Sequence, residues 1–526
     1  MRTLSPVSNS DTPHYDLMPD QTSNNTRIAK NTIILYLRTI VLMLITLYTS
    51  RVILEQLGVD DYGIYNVVGG VVAMFSVISS ALTSSISRFI TFELGRGDIR
   101  RLSTVFSTSV NIQIGLCVIV LIIGEAVLVP FLNAKMNIPP DRIIAANWVL
   151  QCSILTFCIN LISVPYNACI IAHEKMSAFA YIGIIEAVLK LLICYMLIVS
   201  QIDRLIMYSL LMLSVALLIR LIYGFYCSRH FEECKYHLVN DKAMIKEMTG
   251  FAGWSFFPNI AWVFNTQGVT ILINIFFGVA LNAARAIAFQ VESAVMVFVR
   301  NFTTALNPQI TKYYASGDKE QMFLLMCRGA KFTYFLTLIM ALTILLETGF
   351  ILNLWLKEVP PHTVIFVQLS IIGSVINNIG ITCYTACQAT GNIKRFSLIV
   401  TSVGVLVFPM TWLAFRLGMP AESAYIIYIL VYICVSISCM LVTRWLLRFP
   451  ISMFFHRALL PMIWTTILSL ILPAYLCYSM ESSLARFIVI CAASFASSCI
   501  VIYMVGLSKG EKTLVCNKVM SKFKTV

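Results

Sequence analysis

Fourteen stretches of mostly apolar residues, each about 20 residues or longer, follow one another along nearly the whole chain. No other feature constrains the fold as strongly. Inside a bilayer the backbone has no water to bond with. A crossing segment must therefore close its own hydrogen bonds, as a helix does. The stretches lie near 31–53, 62–88, 104–131, 143–171, 177–200, 205–227, 249–277, 280–308, 331–356, 363–388, 396–417, 423–447, 457–478 and 484–507. Charged residues make up 12% of the chain and hydrophobic residues 59%. A water-soluble surface needs about 25% charged residues, so lipid must cover much of this one. The expected fold is an all-α integral membrane protein with about fourteen transmembrane helices.

The segment at 280–308 is the least apolar, because it carries Arg285, Glu292 and Arg300. Charge placement keeps it in the map. With an even helix count both tails share one side, and that side holds 25 of the 38 Lys and Arg against 7 on the other. Such a bias marks the cytoplasmic face. Removing one internal helix would invert every later loop and blur the bias. The net charge of +13 is thus read as topology-setting and lipid-facing. Nucleic acid is not an expected partner, since its binding gathers Lys and Arg on a folded polar domain.

An internal repeat supports the map. Gly58-Val59 and Gly278-Val279 stand 220 residues apart, as do Gly97-Asp98 and Gly317-Asp318. Tyr166-x-Ala168-Cys169 matches Tyr384-x-Ala386-Cys387 at an offset of 218. The offset carries the first helix onto the seventh, so each unit holds six helices and both units share one orientation. The expected organisation is a disordered cytoplasmic tail at 1–26, a six-helix lobe at 27–228 and a cytoplasmic linker at 229–248. A second six-helix lobe at 249–447, two further helices at 448–507 and a basic cytoplasmic tail at 508–526 complete it. Two pseudo-symmetric lobes around a cleft suit a machine that rocks between two open states.

Sixteen cysteines invite a disulfide or metal reading. Most sit inside apolar runs. Cys227, Cys234, Cys327 and Cys516 fall in segments placed in the cytoplasm, where thiols stay reduced. Cys383 and Cys387 lack a second ligand pair. The cysteines read as small packing residues, and no metal or cofactor is expected. His173 and His230 sit alone in loops and read as exposed. The external connections are short and the longest internal loop runs only over 228–248, which leaves no room for the catalytic domain of a polysaccharide polymerase, ligase or glycosyltransferase. No phosphate loop, paired-acid site or nucleophile–base signature is present. The chain is not expected to be an enzyme.

Several stretches resemble the polysaccharide flippases of the Wzx type, in the exporter superfamily that also holds multidrug exporters and the lipid II flippase. They are LYTSRVILEQLGVDDYGIYNVVGG at 47–70, RFITFELGRGD at 88–98, PYNACIIAHEKMSAFAYI at 165–182 and NPQITKYYASGD at 307–318. The resemblance covers about residues 27–507. It implies two lobes around a central cavity, in the inner membrane of a bacterium. It also implies transport of undecaprenyl-pyrophosphate-linked oligosaccharide to the periplasmic leaflet, for O-antigen or capsule synthesis. The implied partners are that lipid-linked oligosaccharide, membrane lipids and other polysaccharide assembly proteins, with the transporter itself a monomer.

An ionisable side chain costs at least about 2.5 kcal/mol at the bilayer centre, so the few buried charges are the candidate site. Arg38 lies in the first helix, and Glu186 and Lys190 lie one turn apart in the fifth. Arg285, Glu292 and Arg300 fall on one face of the eighth, with Asn265, Gln267 and Asn274 on the seventh and Asn377 and Asn378 on the tenth. A pyrophosphate is a dense anion, and an arginine fork matches its oxygens. The lipid II flippase carries cavity arginines on its first, second and eighth helices, and Arg38, Arg88, Arg285 and Arg300 sit on the matching helices. The expected substrate contacts are therefore Arg38, Arg88, Lys190, Arg285 and Arg300, with Glu292 and Glu186 as coupling or supporting groups. Simpler readings stand beside these. Glu186 and Lys190 have the order of an i,i+4 ion pair. Arg88 and Arg285 can reach the two interfaces with their tips. Glu125 and Glu347 lie near outer helix ends and read as solvated. A cation-coupled multidrug antiporter is the rival reading, which Glu186 and Glu292 keep open.

Overall fold

The computed structural model of the chain describes residues 21–513, except 174, 200, 201, 240, 391 and 392. Residues 1–20 of the expected N-terminal tail and 514–526 of the basic tail lie outside the described residues. Residues 21–26, expected in that tail, continue the first helix. Among the described residues there are helices, turns and short connections but no strand.

All fourteen expected segments are helical, and twelve described helices are long and apolar enough to cross a membrane. The difference has two causes. The first span, Thr39–Ala73, bends at Gly58 and so contains most of the first segment and the start of the second. The rest of the second, Ser76–Arg96, is rich in serine. The seventh joins Lys242–Val263 to Val269–Phe277 through a single π-helical turn, and only its apolar end, Phe264–Phe277, registers as a short membrane helix. Helices also outrun the apolar stretches. The eighth extends over Val279–Ala315 and the ninth begins at Lys319, because Asp318 caps it.

The repeat is written in the backbone. Gly58 takes φ 80°, ψ 171° and Gly278 takes φ 87°, ψ −173°. Gly97 and Gly317 take φ 75° and 78°. These conformations are open to glycine and strained for other residues, so two matched pairs of glycines turn the chain the same way in both halves. Asp98 then accepts from the Arg101 N–H at 3.0 Å, and Asp318 accepts from the Gln321 N–H at 3.1 Å. Both are side-chain caps of the following helix. At the opposite end Arg142 hydrogen-bonds Asp61 and Asp203, joining the starts of the fourth and sixth helices. The corresponding pair, His362 and Glu422, joins the starts of the tenth and twelfth. A guanidinium charged at all pH thus has as its counterpart an imidazole charged only when protonated.

One buried apolar cluster crosses from the first half to the second. It includes Ile64 and Val68 together with Ala283, Ile287, Leu352 and Phe366. Close contacts seal this end, which carries Gly58 and Gly278. Gly63 lies so near the start of the eighth helix that a Cβ there would stand 2.0 Å from the Val279 carbonyl oxygen. The Asn137 N–H donates to Asn274 Oδ1 at 3.1 Å, and Trp355 Nε1 donates to the Leu47 carbonyl at 2.8 Å. At the other end the second half has a core of its own, around Met326, Phe335, Cys383 and Phe396. There Ser76–Arg96 runs along Lys242–Val263, with Ser85 Oγ donating to the Met248 carbonyl at 2.8 Å.

The last two helices, Ile451–Ser479 and Leu484–Gly506, pack on the ninth. Glu347, expected to be solvated, is 1% exposed. Arg486 from the last helix explains this, with Nε 2.8 Å from Glu347 Oε1 and Nη2 donating to Oε2 at 3.0 Å. Lys331 and Glu511 form a second buried pair at 2.6 Å. Burial alone would raise the Glu511 carboxyl, but Lys331 and the Ser508 N–H hold it below the usual carboxylate range.

Candidate functional site: a row of cavities across the two halves

Three cavities share walls and form a row. The first, about 160 Å³, lies among the second, fourth and sixth helices, with Tyr65, Gly69, Ala73, Thr156 and Asn160 in its wall. The middle one, about 300 Å³, lies between the halves. It shares Tyr65, Gly69 and Ala73 with the first and adds Gln267, Thr270 and Arg285 from the seventh and eighth helices. The third, about 170 Å³, lies within the second half and shares Thr266, Arg285 and Phe289 with the middle one. Gly70 lets the Gln267 side chain lie close to the second helix here, since a Cβ at Gly70 would stand 2.8 Å from Gln267 Oε1.

Arg285 stands where the second and third cavities meet. The π-helical turn at Phe264–Gly268 prepares its seat. Such turns loosen the backbone ladder and are common at functional sites. Arg285 Nη2 donates to the Thr266 carbonyl at 3.0 Å, and Nε donates to Thr270 Oγ1 at 2.9 Å. The Tyr425 ring lies 5.5 Å from its Cζ, within reach of a cation–π contact. The guanidinium is thus fixed against the seventh and twelfth helices and turned away from the interface it could have reached by snorkelling.

Glu292 and Arg300 line the third cavity with Arg285. Glu292 Oε1 accepts from Ser374 Oγ at 2.6 Å. Asn265 and Asn377 also face this cavity, and Asn265 Nδ2 donates to the Gly404 carbonyl at 2.9 Å. Tyr425, Tyr428 and Tyr432 form the opposite wall, the last two stacked with centroids 4.2 Å apart. Among the described residues, all the charges that line the row belong to the second half; the first cavity is walled by hydroxyl, amide and apolar groups.

Other expected residues lie elsewhere. Lys190 Nζ is 2.6 Å from Glu186 Oε1, one turn away, and neither is in the walls of the three cavities. Arg88 is exposed, with its Cζ 5.8 Å from the Phe89 ring centroid, and is also outside those walls. Arg38 lies on the first helix, and its side chain is outside the described residues. Gln267 lines the middle cavity, Asn274 pairs with Asn137, and Asn378 donates to Thr337 Oγ1 at 3.0 Å. The three tyrosines, Ser374 and Thr270 are additions of the structure. The spacing Tyr425, Tyr428, Tyr432 is a helical stripe, a pattern that core packing also produces.

Residues 28–314 match the family described as "Polysaccharide biosynthesis protein". The chain belongs to this family. The uncharacterized membrane protein EpsK of Bacillus subtilis (strain 168) is 18% identical over 279 residues, which are 52% of this chain and 55% of that one. The match thus spans about half the length of the curated relative. Among solved structures, the inward closed conformation of the lipid II flippase MurJ is similar with a TM-score of 0.67 at 13% identity, covering 89% of this chain and 98% of that one. An inward-facing multidrug resistance transporter of the MATE family is similar with a TM-score of 0.61 at 14% identity, covering 78% and 97%. At such identities the likeness is one of fold. This member of the polysaccharide biosynthesis family is a multi-pass membrane protein with the fold of those transporters and flippases.

Proposed function

We propose that the protein flips an undecaprenyl-pyrophosphate-linked oligosaccharide across the bacterial inner membrane for surface polysaccharide synthesis, with both termini in the cytoplasm. The observation that carries this reading is Arg285, held at the junction of the cavity between the halves and the charged cavity of the second. A pyrophosphate entering the cleft meets a guanidinium already oriented by a backbone carbonyl and a hydroxyl, so little ordering entropy is lost on binding. Arg300 supplies a second positive charge on the same wall, and Glu292 offsets one of the two. The sugars lie along hydroxyl and amide groups of the row, while the lipid tail stays in the bilayer. The halves rock against each other, parting in turn at the end that bears Gly58 and Gly278 and at the opposite end, and so expose the row to each side alternately.

A charge-assisted hydrogen bond contributes about 1.5–3 kcal/mol, so losing one guanidinium weakens head-group binding by about 10- to 100-fold. In liposomes holding a fluorescent undecaprenyl-pyrophosphate oligosaccharide, Arg285→Gln and Arg300→Gln should each slow flipping by that factor. Protein-dependent flipping that both variants retain at the wild-type rate would remove the arginines from the site. A second reading rests on Glu292 and the three tyrosines, which together line a cavity suited to an organic cation. Proton- or sodium-driven export of a cationic dye, without flipping of any lipid-linked sugar, would establish that antiporter instead.

A further inference from the structure

Three cysteines from two helices and the turn that follows converge where the first half ends. The fourth helix, Ile143–Ala172, contributes Cys169 near its end. The sixth, Arg204–His230, contributes Cys227, and the short turn Glu232–Cys234 that follows it contributes Glu233 and Cys234. The Sγ atoms of Cys169 and Cys234 and a carboxylate oxygen of Glu233 all lie within 4.8 Å of one another, and all three residues are buried. Cys227 is buried beside Cys234. His173, one turn after Cys169, sets its Nε2 2.6 Å from Glu233 Oε1 and stacks on Phe231 with centroids 4.2 Å apart. The solitary, exposed His173 of the sequence reading is thus a member of the cluster. Its partner is fixed by a helix end 60 residues away.

We propose that Cys169, Cys234 and Glu233, completed by Cys227, bind a soft divalent cation of the zinc class. Thiolates on tetrahedral zinc bond at about 2.3 Å, which sets them about 3.8 Å apart. The ligand atoms of Cys169, Cys234 and Glu233, all within 4.8 Å of one another, already stand near that spacing. Without a cation the site holds one carboxylate, paired with His173, among three buried thiols. A metal replaces the thiol protons and turns the same groups into ligands. His173 holds the carboxylate in place, as a partner outside the ligand shell does. Arg220 adds a positive charge near Cys227, which offsets part of the negative charge of a thiolate-rich site. The cation fastens the start of the connecting segment to the fourth and sixth helices. That segment then runs along the third helix, where the Asn111 amide donates to the Val239 carbonyl at 2.8 Å, before it enters the second half at Lys242. The site therefore anchors the only covalent link between the halves.

The test is a cobalt titration of the full-length protein, purified in detergent, reduced and freed of metal by a chelator. Wild type should develop the thiolate-to-cobalt charge-transfer absorption, saturating at one equivalent, and zinc should abolish it. The double variant Cys169→Ser/Cys234→Ser should lack the band, and Cys383→Ser, altered in a buried cysteine of the second half, should keep it. His173→Gln keeps every ligand and should weaken binding by about 10- to 100-fold; it decides the matter if the double variant does not fold. Absence of the band in wild type overturns the proposal. So does a band of equal strength in the folded double variant, or in the event that it does not fold, unchanged affinity in His173→Gln.

Discussion

At the scale of single residues, Gly58 and Gly278 give the clearest case of sequence dictating geometry. Both occupy a region of φ that L side chains rarely enter, and a Cβ at Gly58 would meet nothing within 4 Å. The cost of an alanine there is therefore backbone strain alone, about 1–3 kcal/mol. Gly58→Ala should lower the thermal stability of the purified protein by that amount. Gly349→Ala, at a helical glycine with equally open space, should leave it unchanged or raise it by up to about 1 kcal/mol. Equal effects of the two would show that the bend is not set by Gly58. The repeat could be read from these glycines because one residue type serves one conformation. The eighth-helix charges were legible for a similar reason, since 3.6-residue periodicity alone places Arg285, Glu292 and Arg300 on one face. Thr270, Ser374 and the tyrosines facing them carry no such mark. Their roles depend on which helices become neighbours, which local pattern does not encode.

At the scale of elements, every apolar stretch of the sequence is helical, but hydropathy misjudged the charges that join the helices. Glu347 looked like a solvated residue at a helix end because its partner, Arg486, is 139 residues away. The serine-rich helix Ser76–Arg96 and the bend in the first span likewise depend on packing that a hydropathy window averages out. The Glu347–Arg486 pair joins the ninth helix to the last, outside the repeated twelve. Removing one partner of a buried ion pair strands the other charge, which costs about 3–5 kcal/mol. Arg486→Gln should therefore destabilise the protein by about that much. The double variant Glu347→Gln/Arg486→Gln should recover most of the loss, because two amides can bond each other without an unpaired charge. Urea or thermal unfolding in detergent measures both. A double variant as unstable as Arg486→Gln would mean that the arginine acts through its alkyl packing and its bond to the Met480 carbonyl instead.

At the scale of the whole molecule, the row of cavities and the shared core form one arrangement with two ends. At the end bearing Gly58 and Gly278 the halves interpenetrate: Gly63 lies against the Val279 carbonyl and Lys357 pairs with Glu55 across the halves. The missing side chain at Gly63 is what permits this approach, just as glycine permits close helix contact in membranes generally. A rocking transporter must make and break this contact in each cycle, so the two states have to lie within a few kcal/mol of each other. Gly63→Leu places four carbons where the Val279 carbonyl now sits. The helices cannot close, and the equilibrium moves to the state open at this end. Flipping should fall by at least about 100-fold, since a penalty of about 3 kcal/mol or more falls on one state alone. Backbone hydrogen exchange over 270–283 should speed up in the same variant, while exchange around Met326 and Phe335, in the core at the far end, should not change. Gly63→Ala should fall between, as the Cβ alone already meets the carbonyl. Wild-type flipping by Gly63→Leu would show that closure of this contact is not a step of transport, and the cycle would then have to be gated at the other end alone.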